Sequence, residues 1–320
     1  MRRAVLLLCL LFGPGLRAAP MGLLVPAYFY PPTHWDSLNF AAGRVPLVII
    51  MNPGNGPGSG QDPNYVAVVN SLRAAGGKVI GYVYSSYATR DTNVIKADID
   101  RFFSFYPLDG IFVDEMANDA NTHHYNYYVG LYQYIQTKGT NLLVMGNPGI
   151  NTLEPYLTRP TVDILLTFES NTGYSNYVAD GWVTNHLARQ FCHVPYAVSS
   201  AATMTNFVNL AASRNAGWVF VTDDSGGNPY DRLPAYWTNE VNYIRSLNLS
   251  QPAAQLAVLS ASKGMPVLRI SGAPGAYELQ ASTNLTQWSA IATVSTPTNY
   301  LQVTNASATN FPRLFYRTRQ

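Results

Sequence analysis

Short apolar runs alternate with amphipathic stretches along most of the chain. Each run and the stretch after it take about 25 to 35 residues, which is typical of repeated βα units around a parallel sheet. Eight runs follow the pattern: GLLVPAYFY (22–30), PLVIIMNP (46–53), KVIGYVYSSY (78–87), DGIFVDEM (109–116), NLLVMGNPG (141–149), VDILLTFES (162–170), QFCHVPYAVS (190–199) and GWVFVTDD (217–224). The pattern therefore predicts eight parallel strands.

Helices are predicted between these runs from apolar periodicity and from recognisable ends. Asp62 and Pro63 supply an N-cap and a first-turn proline ahead of NYVAVVNSLRAAGG. Five further segments have helical character: NVIKADIDRFFSFY, HHYNYYVGLYQYIQTKG, NYVADGWVTNHLA, MTNFVNLAASRNAG and LPAYWTNEVNYIRSL. The segments after the first and fifth runs are short and rich in proline, so they favour a helix least.

Eight βα units in about 230 residues favour a (β/α)8 TIM barrel over a doubly wound open sheet, which typically has fewer strands. The chain also lacks a convincing phosphate loop: NPGNGPGSG at 52–60 contains prolines and no Walker lysine. We therefore expect an α/β protein with a TIM barrel over residues 20–249.

The composition and the hydrophobic pattern of the sequence change near Ser250. The segment 250–262 is rich in small and polar residues and is expected to be a linker. Five short runs then alternate with turn signals, which predicts a small antiparallel β-sandwich-like module at 263–320. Its only acid is Glu278 and it has no histidine, so attachment or stabilisation is a better expectation for this module than chemistry.

The first residues have the character of a secretory signal peptide over 1–19. Two arginines precede an apolar run at 4–12, and small residues stand at 18–19. The apolar run is short for a membrane span, and no later segment reaches about 18 unbroken apolar residues. We expect a secreted or cell-surface protein without a membrane span in the mature chain; a retained anchor is the alternative.

Composition and charge indicate a globular protein with few electrostatic partners. Hydrophobic residues make up 47% of the chain and charged residues 12%, far from the profile of a disordered protein. The formal charge of +2 includes Arg2, Arg3 and Arg17; without them 17 basic residues stand beside 18 acidic ones. Neither nucleic acid nor an anionic membrane is expected as a partner.

Cysteine and histidine give no metal or redox signal. Cys192 is alone once Cys9 leaves with the leader, and its apolar surroundings predict a buried small side chain. The five histidines show no zinc-ligand spacing: His34, His123, His124, His186 and His193. No cofactor is expected.

The C-terminal ends of barrel strands build the active site of a TIM barrel. Here those ends carry carboxylates, aromatic rings and amides, without lysine, histidine or cysteine, which suits a sugar substrate. The candidate substrate-binding residues are Tyr28, Tyr30, Asn52, Tyr84, Tyr87, Asn147 and Asp223. Asp223 and its neighbour Asp224 have a favoured alternative, which is to cap the turn into SGGNPYD. The expected partner is a polysaccharide.

Three acids are the candidate catalytic residues. Asp114 and Glu115 end the fourth run, and Glu169 ends the sixth. Neighbouring strand residues point to opposite faces, so both acids of the pair can project into the mouth only if the strand ends between them. Asp114 and Glu169 lie on next-but-one strands, which predicts a carboxyl separation of roughly 5 to 9 Å. The alternative is that an acid caps a helix or pairs with an arginine such as Arg90.

Several stretches resemble spherulation-specific family 4, the spherulin 4 proteins, which are similar to glycoside hydrolase family 135. They are GLLVPAYFYP, VIIMNPGNGPG, NYVAVVNSLRAAGGKVIGYVYSSYATR, IKADIDRFFSFYPLDGIFVDEMA and TFES. The resemblance covers most of residues 22–170, is weaker to about 249 and leaves out the C-terminal module. It implies a (β/α)8 barrel and an endo-acting hydrolase of α-1,4-linked exopolysaccharide that contains galactosamine and N-acetylgalactosamine.

The resemblance also implies roles for the three acids. The family's acidic motif falls on Asp114, Glu115 and Glu169. By analogy with related barrel hydrolases, Asp114 is the nucleophile, Glu169 the general acid and base, and Glu115 an orienting or substrate-binding acid. Two variations stay open: inversion, if the carboxyls lie well beyond about 6.5 Å, and attack by the N-acetyl group of the substrate. A non-catalytic polysaccharide-binding protein and an envelope or matrix structural protein are the competing functions.

Overall fold

The computed structural model describes residues 16–17, 20–250, 253–262, 265–271, 275–296, 300–305, 308, 311 and 313–319. The chain forms two compact units. Met21–Asp180 and Arg189–Leu247 form the first unit; Gly181–Ala188 and Asn248–Gln320 belong to the second.

The first unit is a closed barrel of eight parallel strands. The strands are β1 Gly22–Ala27, β2 Leu47–Met51, β3 Lys78–Tyr84, β4 Gly110–Asp114, β5 Leu143–Gly146, β6 Ile164–Ser170, β7 Phe191–Pro195 and β8 Trp218–Val219. Each strand pairs with the next, and β8 returns to β1, where Gly22 lies opposite Trp218. All eight predicted runs are therefore strands, and the predicted TIM barrel is confirmed.

Seven helices alternate with the strands in the described part of the chain. They are α1 Trp35–Ala42, α2 Pro63–Ala74, α3 Thr92–Phe105, α4 Thr122–Gln136, α5 Pro155–Thr158, α6 Ala201–Ser213 and α7 Trp237–Ser250. The side chains of Asp62, Asp91, Asn121 and Ser200 cap α2, α3, α4 and α6 by accepting backbone hydrogen bonds. The proline-rich segments after β1 and β5 hold the shortest helices, of eight and four residues.

The helix predicted from NYVADGWVTNHLA is wrong. This stretch follows β6, where the chain forms three 3-10 turns at Tyr174–Asn176, Gly181–Asn185 and Ala188–Gln190. A helix through it would include Gly181, which costs about 1 kcal/mol relative to alanine. Periodicity alone does not register that cost.

Close packing between β4 and β5 fixes the strand that carries the candidate acids. A Cβ atom on Gly110, the first residue of β4, would lie 1.9 Å from the carbonyl oxygen of Leu143. Only glycine permits this approach of the two backbones. Ile111, Phe112 and Val113 then continue the strand as buried residues up to its end.

The second unit contains two antiparallel sheets, which confirms the predicted β module. Its strands are β9 Ala253–Ser262, β10 Met265–Ser271, β11 Gly275–Ser282, β12 Ser289–Thr296, β13 Tyr300–Thr304 and β14 Phe315–Arg319. One sheet has the order β9, β10, β13, with Leu16–Arg17 paired to β9, and the other has the order β12, β11, β14. Their core is formed by Leu268, Ile270, Tyr277 and Leu279.

The linker predicted at 250–262 is wrong for residues 253–262, which form β9. This strand pairs with β10 from Gln255 to Ser262, and Leu256 and Val258 pack against the core of the unit. Leu256 and Val258 alternate along the strand, but the many small residues around them conceal this pattern.

The predicted signal peptide, residues 1–19, lies outside the described residues except for Leu16–Arg17. Within the described ranges, no helix has the length and apolar character needed to cross a bilayer.

Candidate active site

Asp114, the last residue of β4, holds its carboxylate among three hydrogen-bond donors. The hydroxyl of Tyr82 on β3 donates to Oδ2 at 2.9 Å, and Nδ2 of Asn147 donates to Oδ1 at 2.8 Å. The backbone amide of Glu115 is the third donor. Burial is the largest influence on the pKa of Asp114 and raises it, while the three donors oppose this by stabilising the ionised form.

Glu115 lies beyond the end of the strand, with a φ of +50°. Its carbonyl accepts hydrogen bonds from Ser85 Oγ at 2.8 Å and from the Tyr87 amide at 2.7 Å. The loop that supplies these donors also has a positive φ at Ser86, Tyr87 and Ala88. Strained backbone of this kind is concentrated at functional sites. The strand therefore ends between the two acids, and the negative charge of Glu115 adds to the raised pKa of Asp114.

Glu169 lies near the end of β6 with both carboxylate oxygens bonded. The hydroxyl of Tyr230 donates to Oε1, and Nδ2 of Asn147 donates to Oε2 at 2.6 Å. Burial is the main cause of a raised pKa for Glu169, and the charge of Asp114 adds to it. This carboxyl group therefore keeps its proton to a higher pH than an exposed glutamate does.

Asn147 joins the two acids, because its Nδ2 donates to Asp114 and to Glu169. An amide nitrogen has two hydrogens, so it serves both carboxylates at once. With bonds of 2.8 and 2.6 Å, the two acceptor oxygens lie no more than about 5.4 Å apart. Asn147 Oδ1 is buried and has no hydrogen-bond partner among the described residues. The orientation that lets Nδ2 donate to both carboxylates therefore leaves Oδ1 of the same side chain without a donor among the described residues.

A cavity of about 540 Å³ opens beside this pair. It is lined by Tyr28, Asn52, Asn55, Tyr82, Glu169, Tyr196, Gly226, Gly227, Asn228, Pro229 and Tyr230. The ring of Tyr28 lies edge-on to Tyr82 and to Tyr230, with both ring centroids 5.7 Å away. Asp114 does not line the cavity itself. It accepts a hydrogen bond from the hydroxyl of Tyr82, which does line the cavity. Aromatic rings, amides and one lining carboxyl are a combination suited to a sugar.

Three of the seven predicted substrate-binding residues belong to this site. Tyr28 and Asn52 line the cavity, and Asn147 joins the two acids. Asn52 also shapes the loop after β2, since its Oδ1 accepts a hydrogen bond from the Gly56 amide at 2.8 Å.

Tyr30 and Tyr87 lie outside the cavity lining and are exposed by 55% and 61%. The hydroxyl of Tyr30 donates to Asp62 at 2.9 Å and accepts from Asn64 at 2.8 Å, so its ring is held at the start of α2. A role for either ring in binding a more distant part of a substrate stays a prediction.

Arginine side chains contact Tyr84 and Asp223. Neither Tyr84 nor Asp223 lines the cavity. The guanidinium of Arg90 lies 4.0 Å from the centre of the Tyr84 ring. Asp223 pairs with Arg232 at 2.6 Å and accepts from the Ala235 amide at 3.2 Å. Both contacts of Asp223 are with residues beyond SGGNPYD, whereas the Ser225 amide at the start of that turn donates to Asp224 at 2.9 Å.

Arg90 does not neutralise the candidate acids. It pairs with Asp98 of α3 at 2.6 Å and donates to the carbonyl of Tyr84. The partners of Asp114 and Glu169 are neutral groups instead: phenols, an amide side chain and a backbone amide. Among the residues that the structure describes, neither acid forms an ion pair with an arginine.

Sequence reasoning missed three tyrosines of the site. Tyr82 precedes Tyr84 by two positions on β3, so strand alternation alone places both on one face. Tyr196 follows β7 directly. Tyr230 lies in the loop after β8, and its carbonyl accepts the amide of Tyr28 at 3.1 Å. No pattern in SGGNPYD indicates that this loop returns to the barrel mouth.

The described residues contain no group of three or more histidine, cysteine, aspartate or glutamate side chains arranged for a metal ion. Cys192 is buried, as predicted, and is a free thiol. His193 is buried against the Tyr174 hydroxyl at 2.8 Å, and burial lowers its pKa to about 3. Both side chains are parts of the packed barrel wall.

Comparison with known proteins gives consistent matches. The sequence profile of spherulation-specific family 4 matches residues 22–244. Spherulin-4 of Physarum polycephalum is 34% identical over 242 residues, which are 72% of this chain and 71% of that protein. Among solved structures, Aspergillus clavatus Sph3 in complex with GalNAc has a TM-score of 0.61 and 22% identity, covering 72% of this chain and 99% of that one. This structural likeness shows a shared fold.

Proposed function

Because the chain belongs to spherulation-specific family 4, as its sequence predicted, we propose that it is a glycoside hydrolase that cleaves polysaccharide at the mouth of its barrel. One observation carries the proposal: Asn147 joins two partly buried carboxyl groups, Asp114 and Glu169, beside a cavity lined with tyrosines and amides. Two carboxyls at short range are what hydrolysis at an anomeric carbon requires.

The substrate class rests on two lines of support. The sequence resembles hydrolases of α-1,4-linked exopolysaccharide that contains galactosamine and N-acetylgalactosamine. Sph3, which has the same fold, was crystallised in complex with GalNAc. We propose the same sugar here, cleaved within the chain by a protein that is secreted after removal of residues 1–19.

Glu169 is the proposed general acid. In the first step its proton moves to the glycosidic oxygen as the bond from that oxygen to the anomeric carbon breaks. Burial, which raises the pKa of Glu169, favours the protonated form of this carboxyl group. After the transfer, the hydrogen bonds from Tyr230 and Asn147 stabilise the carboxylate that remains.

Asp114 is the proposed nucleophile. Burial raises the pKa of both acids, but Asp114 accepts three hydrogen bonds from neutral donors and Glu169 accepts two. The difference favours the ionised form on Asp114 and the protonated form on Glu169. Asp114 then bonds to the anomeric carbon as the leaving sugar departs, and water activated by ionised Glu169 later releases the product.

The short carboxyl separation supports retention of configuration. Inverting enzymes place their carboxyls roughly 6.5 to 9.5 Å apart to hold a water molecule between them. The bound of about 5.4 Å between the oxygens joined by Asn147 is below that range. Attack by the substrate's N-acetyl group does not suit this substrate, because in α-linked N-acetylgalactosamine the acetamido group on C2 lies on the same face of the ring as the leaving oxygen and cannot displace it from behind.

The test is release of reducing ends from N-acetylated and partly deacetylated α-1,4-galactosamine polymers by the purified protein. Asp114→Asn and Glu169→Gln should each lower release at least about a hundredfold while polymer binding persists. Asp36→Asn, which changes an exposed carboxylate on α1, is the matched control and should behave as wild type. Binding without release by the wild type would indicate a polysaccharide-binding protein.

A further inference from the structure

A second cavity, of about 260 Å³, lies next to the first on the side of β6 and β7. Its lining is formed by residues 170–176, which end β6 and begin the loop after it, together with Pro195, Tyr196 and Phe207. The two cavities share Tyr196, and Ser170 directly follows Glu169 in the chain. A sugar chain that passes from one cavity to the other therefore runs beside the proposed general acid.

The second cavity combines aromatic and polar walls. Phe207 and Tyr196 supply ring surfaces. Asn171 and Asn176 are exposed, and their side chains have no hydrogen-bond partner in the described part of the protein. Rings that cover the CH faces of a sugar, opposite free amides for its hydroxyls, are typical of a carbohydrate subsite.

The loop that forms the polar wall is anchored from behind. Arg214 donates to the carbonyls of Tyr174 and Ser175 at 2.7 and 3.0 Å. The Tyr174 ring is buried, its hydroxyl contacts His193 at 2.8 Å, and its centroid lies 4.9 Å from that of Phe207. The cavity is therefore preformed, so little ordering of the loop opposes binding.

Charge distinguishes the two cavities. Glu169 lines the first cavity, whereas the described residues that line the second include none with a charged side chain. Arg214, which holds the loop, is a cation, and an ammonium group in a neutral cavity near it would lose hydration without gaining a counter-ion. An N-acetyl group is neutral and carries its own donor and acceptor for the asparagine amides.

We propose that the second cavity is the subsite for the sugar residue on the leaving-group side of the cleaved bond, and that it accepts an N-acetylated residue in preference to a free amino sugar. This inference rests on the proposed glycosidase function. It predicts where the enzyme cuts a partly deacetylated polymer. Cleavage is favoured at bonds whose leaving-group sugar, on the side of Glu169, is N-acetylated.

The experiment measures binding by calorimetry at pH 7, with Glu169→Gln present in every protein to stop turnover. The probes are GalNAc, the fully acetylated α-1,4-linked pentasaccharide and the fully deacetylated pentasaccharide. Phe207→Ala removes an aromatic wall, and the double variant N171A/N176A changes only exposed loop amides, so that it serves if Phe207→Ala folds poorly. Phe40→Ala on α1 and Asn239→Ala on α7 are the matched controls, since neither residue lines either of these two cavities.

Phe207→Ala and the double variant should each weaken binding of the acetylated pentasaccharide by about fivefold to tenfold and leave GalNAc binding unchanged. They should also reduce the preference for the acetylated over the deacetylated pentasaccharide. An unchanged pentasaccharide affinity, or an equal loss for GalNAc, would overturn the subsite. A deacetylated pentasaccharide that binds as tightly as the acetylated one would overturn its selectivity.

Activity of the parent protein separates this inference from the function on which it rests. If the protein with Glu169 intact releases reducing ends and the pentasaccharide results are negative, the glycosidase proposal stands and the subsite is wrong. If the parent protein neither cuts nor binds any of the sugars, the proposed function fails and the subsite fails with it.

Discussion

The hydroxyl of Tyr230 donates a hydrogen bond to Glu169, although 61 positions separate the two residues in the chain. Tyr230 lies in the loop after β8, and Glu169 lies near the end of β6. The bond ties that loop to the proposed general acid. Burial and the charge of Glu169 raise the pKa of the Tyr230 phenol, so it remains a proton donor throughout the pH range of the reaction.

Replacing Tyr230 by phenylalanine should move the pH dependence of the reaction. The Tyr230 hydroxyl lowers the pKa of Glu169, so its removal should raise that pKa and shift the alkaline limb of kcat/KM to higher pH. We also expect kcat to fall about tenfold, because the carboxylate left after proton transfer loses a donor. Tyr196→Phe, another tyrosine of the cavity, is the control. An unmoved alkaline limb would show that Tyr230 does not act through Glu169.

Replacing Asn147 by leucine should remove the link between the acids with little change in side-chain volume. Both carboxyls then lose a donor, so both pKa values should rise and Asp114 should be protonated at a higher pH. We expect kcat to fall about a hundredfold, with the acidic limb of the pH profile moved upward. Circular dichroism would confirm folding. Wild-type activity in this variant would remove Asn147 from the mechanism.

Glu240 should make stability depend on pH. It is fully buried on α7, accepts the Val221 amide at 2.8 Å, and burial raises its pKa from 4.5 to about 8. The folded state thus holds this proton more tightly than the unfolded state. Its contribution to stability is complete below about pH 4.5 and is lost as pH rises through about 8, by a few kcal/mol.

Urea unfolding at pH 5 and pH 8 checks this expectation. Glu240→Gln keeps the acceptor oxygen but removes the titration, so the variant should lose less stability than wild type between the two pH values. Asp36→Asn should keep the wild-type difference. An identical loss in Glu240→Gln would mean that other groups cause the pH dependence.

The proposed secretion predicts a defined new N-terminus. Removal of residues 1–19 would leave Pro20 as the first residue. It would also remove Leu16–Arg17 from its pairing with β9. N-terminal sequencing of protein collected from the medium of a secreting host should begin at Pro20, and an intact leader in that fraction would refute cleavage at this site.

The strand pattern was sufficient to place the barrel and its acids. Parallel strands end at a common edge, so Asp114 and Glu169 were predictable from where their apolar runs stop. Alternation along β3 places Tyr82, two positions before Tyr84, on the same face, although Tyr82 was not among the predicted residues. These features depend on short-range periodicity, which a sequence displays directly.

Other features depend on contacts between distant segments. Tyr230 reaches Glu169 through a loop without periodicity, and Asp223 is engaged by Arg232 from the same loop. The run that ends in VTDD keeps only two residues in strand pairing, and beyond it Glu240 accepts the amide of Val221 in place of a neighbouring strand. Such partners are decided by tertiary packing and leave no local signal.

The anomeric form of the first released product tests the central claim most directly. Proton NMR during early cleavage of an α-1,4-linked N-acetylgalactosamine oligosaccharide distinguishes α from β reducing ends before they interconvert. Two carboxyl oxygens within about 5.4 Å predict that the α form appears first, by double displacement on Asp114. First release of the β form would contradict retention and the roles assigned to Asp114 and Glu169.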